Sequence, residues 1–485
     1  METFMPFKSA SRRTPEESNS VLLFKVIRLS TPAVMENFIT TVVLLTDALM
    51  LAQLPNNSIY LASISVASII YWRVVNLVGC TQIGSSAYIS RRWGEGKYSE
   101  AGFALGHSLL VSLLLGLVAG VALWPLMPWL FAALSNGDES VTTVGLGYMF
   151  ILMLAFPVRL VLLTLSGGMR AAGDTRSPLI IMIVLVVVNF ILTYCMVFGK
   201  YGFPPMGFEG AAASTAISYC VAAALGLWMF KRGLRPALLL ENQSSPGIPY
   251  HSMTSDPLLR LDWMGVRPWF KHITPSIFRV STSVLGEEIL VTIGFLTYIA
   301  MVGQFGREAL AAHSATGRIE ALSYTTGYGI ALATSAMVGQ ALGAGRVRLA
   351  EKLFALNSAL AATIMGCIGI LFILFSEVLL GLFRLDPEVM TIAQGLVVIL
   401  AIEQIFIGTG MTLSGGLRGA GDTFPPFITQ LVGVIGTRLL VGYILAWPLG
   451  FGIYGLYWAT LLDWMMRTAV YLYFVWKGNW KRIKV

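Results

Sequence analysis

The chain has 485 residues, of which 56% are hydrophobic and 12% charged, with a formal net charge of +8 and a mean hydropathy of +0.74. Soluble domains carry about 25% charged residues, so this chain lacks the charged shell of a soluble enzyme, and disorder, collagen and coiled coil are excluded with it. What remains is an all-α integral membrane protein. At about 20 apolar residues per crossing the length holds about 12 spans.

The first 24 residues are polar, with Arg12, Arg13, Glu16 and Glu17, and read as a cytoplasmic tail (1–24). An N-terminal lobe (25–230) follows, with spans near 27–51, 58–83, 102–124, 141–166, 178–198 and 210–230. Residues 231–271, rich in Pro and Ser, form a cytoplasmic linker. A C-terminal lobe (272–476) carries spans near 273–301, 309–337, 353–380, 389–414, 426–447 and 456–476, and residues 477–485 are a second cytoplasmic tail. With both termini inside, the tails, linker and inner loops hold 24 Lys and Arg, and the outer loops hold only Lys200, Arg307 and Arg384. That asymmetry predicts a multi-pass protein of the plasma membrane with a basic face toward cytoplasmic anionic lipids, and explains the net charge without nucleic acid. Cys80, Cys195, Cys220 and Cys367 lie in apolar segments without CxxC spacing and read as small buried residues. No HExxH, Walker or GxSxG pattern and no zinc-like cluster occurs, so neither enzyme chemistry nor a cofactor is expected.

The chain repeats itself. GGMRAAGDTRSPL at 167–179 recurs as GGLRGAGDTFPPF at 415–427, with eight of thirteen positions identical. AYISRRWGEGKYSEA at 87–101 aligns with AMVGQALGAGRVRLA at 336–350 at nearly the same offset. Pro32 and Pro275 are expected to open the first helix of each half. The glycines of the GGxR loops read as helix stops, with Asp174 and Asp422 as N-caps of the fifth and eleventh spans. Six spans per half is an even number, so the two halves insert the same way round. They are related by a pseudo-two-fold axis along the membrane normal, the architecture of alternating-access transporters with a site between the halves.

The GGLRGAGDT and VGQALGAGR loops, ALAAHSATGRIE at 309–320 and the spacing from Pro32 to Asp47 resemble the multidrug and toxic compound extrusion (MATE) family, over about 450 residues ending at GNW, 478–480. The resemblance implies twelve helices in two six-helix lobes, and antiport of organic cations or related amphipathic small molecules against H⁺ or Na⁺.

Acidic residues at span depth are costly, about 2.5–3.5 kcal/mol each at a helix centre, and mark the candidate path. Glu36 and Asp47 share one helix face, about 16 Å apart along the axis; in some family members the aspartate is a coupling residue. Asn189 and Thr193 share a face of the fifth span. Many relatives carry Asn and Asp there, so Thr193 removes a carboxylate and weakens, without excluding, a Na⁺ site. Glu287 and Glu288 point about 100° apart, so only one can face the cavity fully, the other pairing with Arg279 or Arg318. His313, Thr316, Glu320 and Tyr324 form one polar stripe on the eighth span, with His313 as a packing residue. Glu403 sits in the tenth span, where some branches of the family have an acidic coupling residue. Asp47, Glu403, Glu288, Glu36 and Glu287 are therefore the candidate ion-coupling residues, with Asn189, Thr193, Glu320, Tyr324 and Thr316 as ion or cavity ligands. The rival reading is a flippase or exporter of a lipid-linked or anionic metabolite, its basic cavity supplied by Arg73, Arg159, Arg279 and Arg438. A monomer in contact with membrane lipids is expected under either.

Overall fold

The computed structural model describes residues 19–55, 57–135, 137–233 and 266–483. The tail up to residue 18 and linker residues 234–265 lie outside the described residues. No strand occurs among the described residues, as expected where hydrocarbon leaves backbone groups no water to bond.

The first lobe comprises α1 (Asn19–Leu51), α2 (Asn57–Val78), α3 (Thr81–Gly94), α4 (Tyr98–Ala122), α5 (Met127–Leu134), α6 (Glu139–Ala171), α7 (Arg176–Phe198) and α8 (Gly207–Arg232). The second comprises α9 (Val266–Gly303), α10 (Arg307–Gly343), α11 (Val347–Leu374), α12 (Ser376–Gly381), α13 (Pro387–Gly419), α14 (Phe424–Leu431), a π-helical stretch Val432–Val441, α15 (Gly442–Ala446) and α16 (Gly452–Lys477). Nine segments among the described residues are long and apolar enough to cross a membrane, α4 with α5 and α14 with α15 each forming one. With α1, α10 and α16, at 33, 37 and 26 residues, they make two sets of six.

Several local expectations fail for physical reasons. Pro32 and Pro275 do not open helices: both lie inside α1 and α9, because each helix runs on into the basic end of the molecule before its proline. The second span does not run unbroken to 83. It breaks at Gly79, where any side chain would meet the Val75 carbonyl and Leu163, and then resumes as α3, which carries Arg91 and Arg92. Of the GGxR glycines only Gly173 and Gly421 stop helices, at φ +94 and +82. Gly167, Gly168, Gly415 and Gly416 are helical and allow close packing against Gln82, Leu105, Ala331 and Phe354. Asp174 does cap α7, its carboxylate accepting from the amides of Arg176 and Ser177 and from the Ser177 hydroxyl at 3.1, 2.9 and 2.6 Å. Asp422 makes no such cap among the described residues. The residue equivalent to Ser177 is Pro425, which has neither an N–H nor a hydroxyl to donate.

The two lobes interlock at the basic end. Leu22, Val26 and Leu29 of α1 are buried among Met337, Phe354, Leu417 and Trp480 of the second lobe. Ile277 of α9 joins the core of the first. Each lobe's opening helix thus starts against the partner lobe and crosses to its own.

Candidate functional site

Two buried polar clusters lie one in each lobe. In the first, Asp47 of α1 is 1% exposed, and among the described residues it has no ion-pair partner. Its Oδ1 lies 3.2 Å from Thr193 Oγ1 on α7, and its Oδ2 3.0 Å from Thr215 Oγ1 on α8. Asn189 Nδ2 donates to Thr215 Oγ1 at 3.0 Å, leaving Asn189 Oδ1 buried without a hydrogen-bond partner among the described residues. Thr193 and Ser214 hydroxyls meet at 2.6 Å, and Ser214 Oγ donates to the Ala211 carbonyl at 2.8 Å. Asp47, Asn189 and Thr193 are brought together from helices some 140 residues apart in sequence. Thr215 was missed; its signal is the Ser-Thr pair in the otherwise small-residue run AAASTAIS.

A carboxylate so placed needs a proton or a cation to offset the cost of burial. The other first-helix candidates already have a counter-charge. Both oxygens of Glu36 lie 2.5 Å from Arg170 Nη1, and Glu287 Oε1 lies 2.5 Å from Arg418 Nη2. The partners are the arginines of the two GGxR repeats, and not Arg279 or Arg318. Glu288, on the next face, is half-buried and has no ion pair among the described residues.

The second cluster is richer in charge. Glu403 of α13 is buried and accepts from Thr460 Oγ1 of α16 at 3.1 Å. One turn on, Asp463 is clamped by Arg467 through two contacts of 2.5 and 2.7 Å, and by Arg438 Nε at 2.9 Å. Arg438 belongs to the π-helical stretch, and Gly433 in the same stretch has no side chain to displace the clamp. π turns recur at functional sites. Of the α10 stripe, His313 Nδ1 and Thr316 Oγ1 each lie 2.7 Å from Tyr457 Oη, a residue sequence reasoning did not single out. Glu320 is half-buried and Tyr324 is 44% exposed; neither side chain joins that contact.

Asp47 and Thr215 open on a cavity of about 340 Å³, within the range of small-molecule sites. Its walls are aromatic: Tyr71, Trp72, Tyr148 and Tyr219 from the first lobe and Phe295 from α9 of the second. Arg73 and Arg159 also line it. Arg73 stacks on Phe295 at 4.5 Å across the lobes, and Arg159 lies over Tyr219 at 5.2 Å.

The sequence profile of the MatE family matches residues 32–195 and 284–444, one block in each lobe. A probable multidrug resistance protein NorM of Thermotoga maritima is 25% identical over 96% of this chain and 95% of its own. Multidrug resistance protein PmpM of Pseudomonas aeruginosa is 24% identical over 87% and 84%. Among solved structures, a MOP superfamily transporter from Pyrococcus furiosus superposes with a TM-score of 0.82 at 17% identity, covering 97% of this chain and 100% of that one. An outward-facing multidrug resistance MATE family transporter superposes at 0.81 with 18% identity, over 97% and 100%.

Proposed function

The chain belongs to the MatE family, and from that premise we propose that it is a secondary active exporter of amphipathic small molecules, organic cations among them, driven by exchange for H⁺. It works as a monomer in the plasma membrane, with both termini and the basic end in the cytoplasm. A family of transporters sharing this two-lobed fold supports that reading over an enzymatic one.

The observation that carries the proton is a count of hydrogens around Asp47. Three contacts run from Asp47 Oδ1 to Thr193, from Thr193 to Ser214, and from Ser214 to the Ala211 carbonyl. The two hydroxyls hold two protons between them. A proton on Asp47 supplies the third, completes the chain and neutralises the carboxylate. A cationic cargo approaching through the shared cavity competes with that proton for the same charge. Ion and cargo then have opposite preferences for the site, which is what antiport requires. Glu403 and Glu288, neither held by an arginine among the described residues, serve as secondary protonation sites in the second lobe.

The test is uptake of a cationic dye into proteoliposomes under separately imposed pH and Na⁺ gradients. Transport driven by the pH gradient and abolished by Asp47→Asn supports the proposal. Transport driven by Na⁺ alone assigns the oxygens of Asp47, Asn189, Thr193 and Thr215 to a metal ion instead. No gradient-driven movement in folded protein overturns the exporter reading.

A further inference from the structure

A cavity built for cations alone has no use for arginines, and this one holds two. Arg159 is the more informative. It lies in the middle of α6 and is only 8% exposed. Among the described residues it has no ion pair and no hydrogen bond; it lies over the ring of Tyr219, with the Tyr71 hydroxyl also within electrostatic reach. Among the described residues, every other arginine buried to this degree in a span has a carboxylate within 2.5 Å: Arg170 has Glu36 and Arg467 has Asp463. A guanidinium left without a carboxylate at membrane depth is expensive unless something in the cavity answers it.

We propose that Arg159 is a specificity-determining residue: the cavity takes an aromatic amphiphile that carries an anionic group beside its cationic centre, and Arg159 binds the anionic group. The inference rests on the exporter reading of the same cavity and names its cargo class. The walls fit it. Asp47 lies where α1 meets α7 and α8, Arg159 on α6, and Tyr71, Tyr148 and Tyr219 supply flat apolar surface. Two opposite charges fixed in one cavity orient a cargo of matching polarity. Arg159's five fixed donors suit a carboxylate or phosphonate. A purely anionic cargo is disfavoured by the coupling itself. Protonating Asp47 would leave Arg159 the uncompensated charge of the cavity, since Arg73 also faces Glu288, and would strengthen anion binding, so ion and cargo would travel together. With a cationic centre on the cargo, proton and cargo still compete.

The experiment compares a naphthyl-bearing ω-amino carboxylic acid with its methyl ester, which keeps the amine and loses the negative charge. Binding is measured in lipid-free detergent and transport in proteoliposomes. Wild type should prefer the acid. Arg159→Met should lower the acid-to-ester preference about ten-fold, the scale of one charge-assisted contact, and Arg159→Lys should restore part of it. Equal binding of acid and ester by wild type overturns the assignment, and so does an equal loss of both in Arg159→Met. Displacement by short-chain phosphatidylethanolamine, with no binding of the free amino acid, also overturns it and makes the cavity a lipid headgroup site. Gradient-driven transport of the ester alone would leave the exporter standing while sinking the role of Arg159. Movement of neither compound under any gradient would sink both.

Discussion

Gly343 of α10 packs so closely on α3 that a methyl group there would overlap the carbonyl oxygen of Arg91. The relationship is reciprocal. Gly94 meets the backbone of Gln340 in the same way, and each member of one pair stands 249 residues from its counterpart in the other. The two loops that share only four identities in fifteen are thus packed on each other about the pseudo-two-fold axis. They close the basic end, with Gln340 Nε2 reaching the Ala171 carbonyl of the first lobe at 2.8 Å.

Gly343→Ala should therefore act on closure and leave each lobe's fold intact. Overpacking costs about 1–3 kcal/mol, here charged to the closed arrangement alone. Hydrogen exchange should quicken in the last turns of α3 and α10 and stay slow in α6 and α13. Unchanged exchange there would show that the contact is not a seal. Gly94→Ala should reproduce the effect, since the axis makes the sites equivalent.

The paired carboxylates allow the coupling role proposed for Asp47 to be tested apart from structure. Removing one partner of a buried pair strands a charge at a cost of about 3–5 kcal/mol, whereas replacing both is close to neutral. Arg170→Met should thus lower thermal stability in detergent far more than the double change with Glu36→Gln, and Arg418 with Glu287 should behave alike. Glu36→Gln should keep the pH-gradient dependence of transport that Asp47→Asn loses. If Glu36→Gln uncouples transport while Asp47→Asn does not, the roles of the two carboxylates are reversed.

How much of this was legible beforehand differs by element. Twelve spans and two lobes follow from hydropathy and an even-numbered repeat, because hydrocarbon constrains each helix separately. Asp47, Asn189 and Thr193 were legible as candidates because polar groups are scarce in apolar helices. Their partners were not. Arg170 reads as a loop charge because it ends a span, yet α6 runs on to Ala171 and its guanidinium turns back to Glu36, 134 residues away. The depth of a residue counted from the far end of its helix is the better guide. Glu36 precedes Leu51 by 15 residues and Glu287 precedes Gly303 by 16, so both face the same level of the repeat. The prolines misled because they lie at different depths.

Asp422 offers a pH test outside the spans. Burial without a capping partner pushes its carboxyl up to about 6 from 3.8. The folded protein then holds the proton to a higher pH than the unfolded chain. The stability from this group is complete below pH 3.8 and is lost as pH rises through 6. Asp422→Asn should stabilise the protein by about 1 kcal/mol at pH 8, allowing for partial solvent screening, and by nothing near pH 4. Melting curves at the two pH values check it. A gain that is the same at both would mean that ionisation plays no part. Asp174→Asn should instead destabilise at neutral pH, because Asp174 holds its cap.

The C-terminal segment ties the two lobes together at the same closed end. Trp480 is 0% exposed, packs at a tilt against Phe354 with ring centroids 5.0 Å apart and donates its indole N–H to the Val475 carbonyl at 2.9 Å. Lys481 pairs with Glu351 on α11. These contacts hold the segment on the second lobe. Arg91 Nη2 of the first lobe then donates to the Ile483 carbonyl at 3.0 Å. In the proposed transport cycle α3 parts from α10 when the basic end opens, so that last bond would be made only in the closed state. Truncation after Gly478 should thus remove a contact from one conformation and a hydrophobic plug from both. A milder change, Arg91→Gln, isolates the first effect. It should accelerate exchange at the α3–α10 seam without lowering the melting temperature by more than about 1 kcal/mol equivalent, the worth of a charge-assisted bond at a part-buried site. Trp480→Ala should cost more, about 3–5 kcal/mol for an emptied aromatic site, and should destabilise open and closed forms alike. If Arg91→Gln and Trp480→Ala shift the seam and the melting point in the same proportion, the segment is packing alone and does not act as a latch.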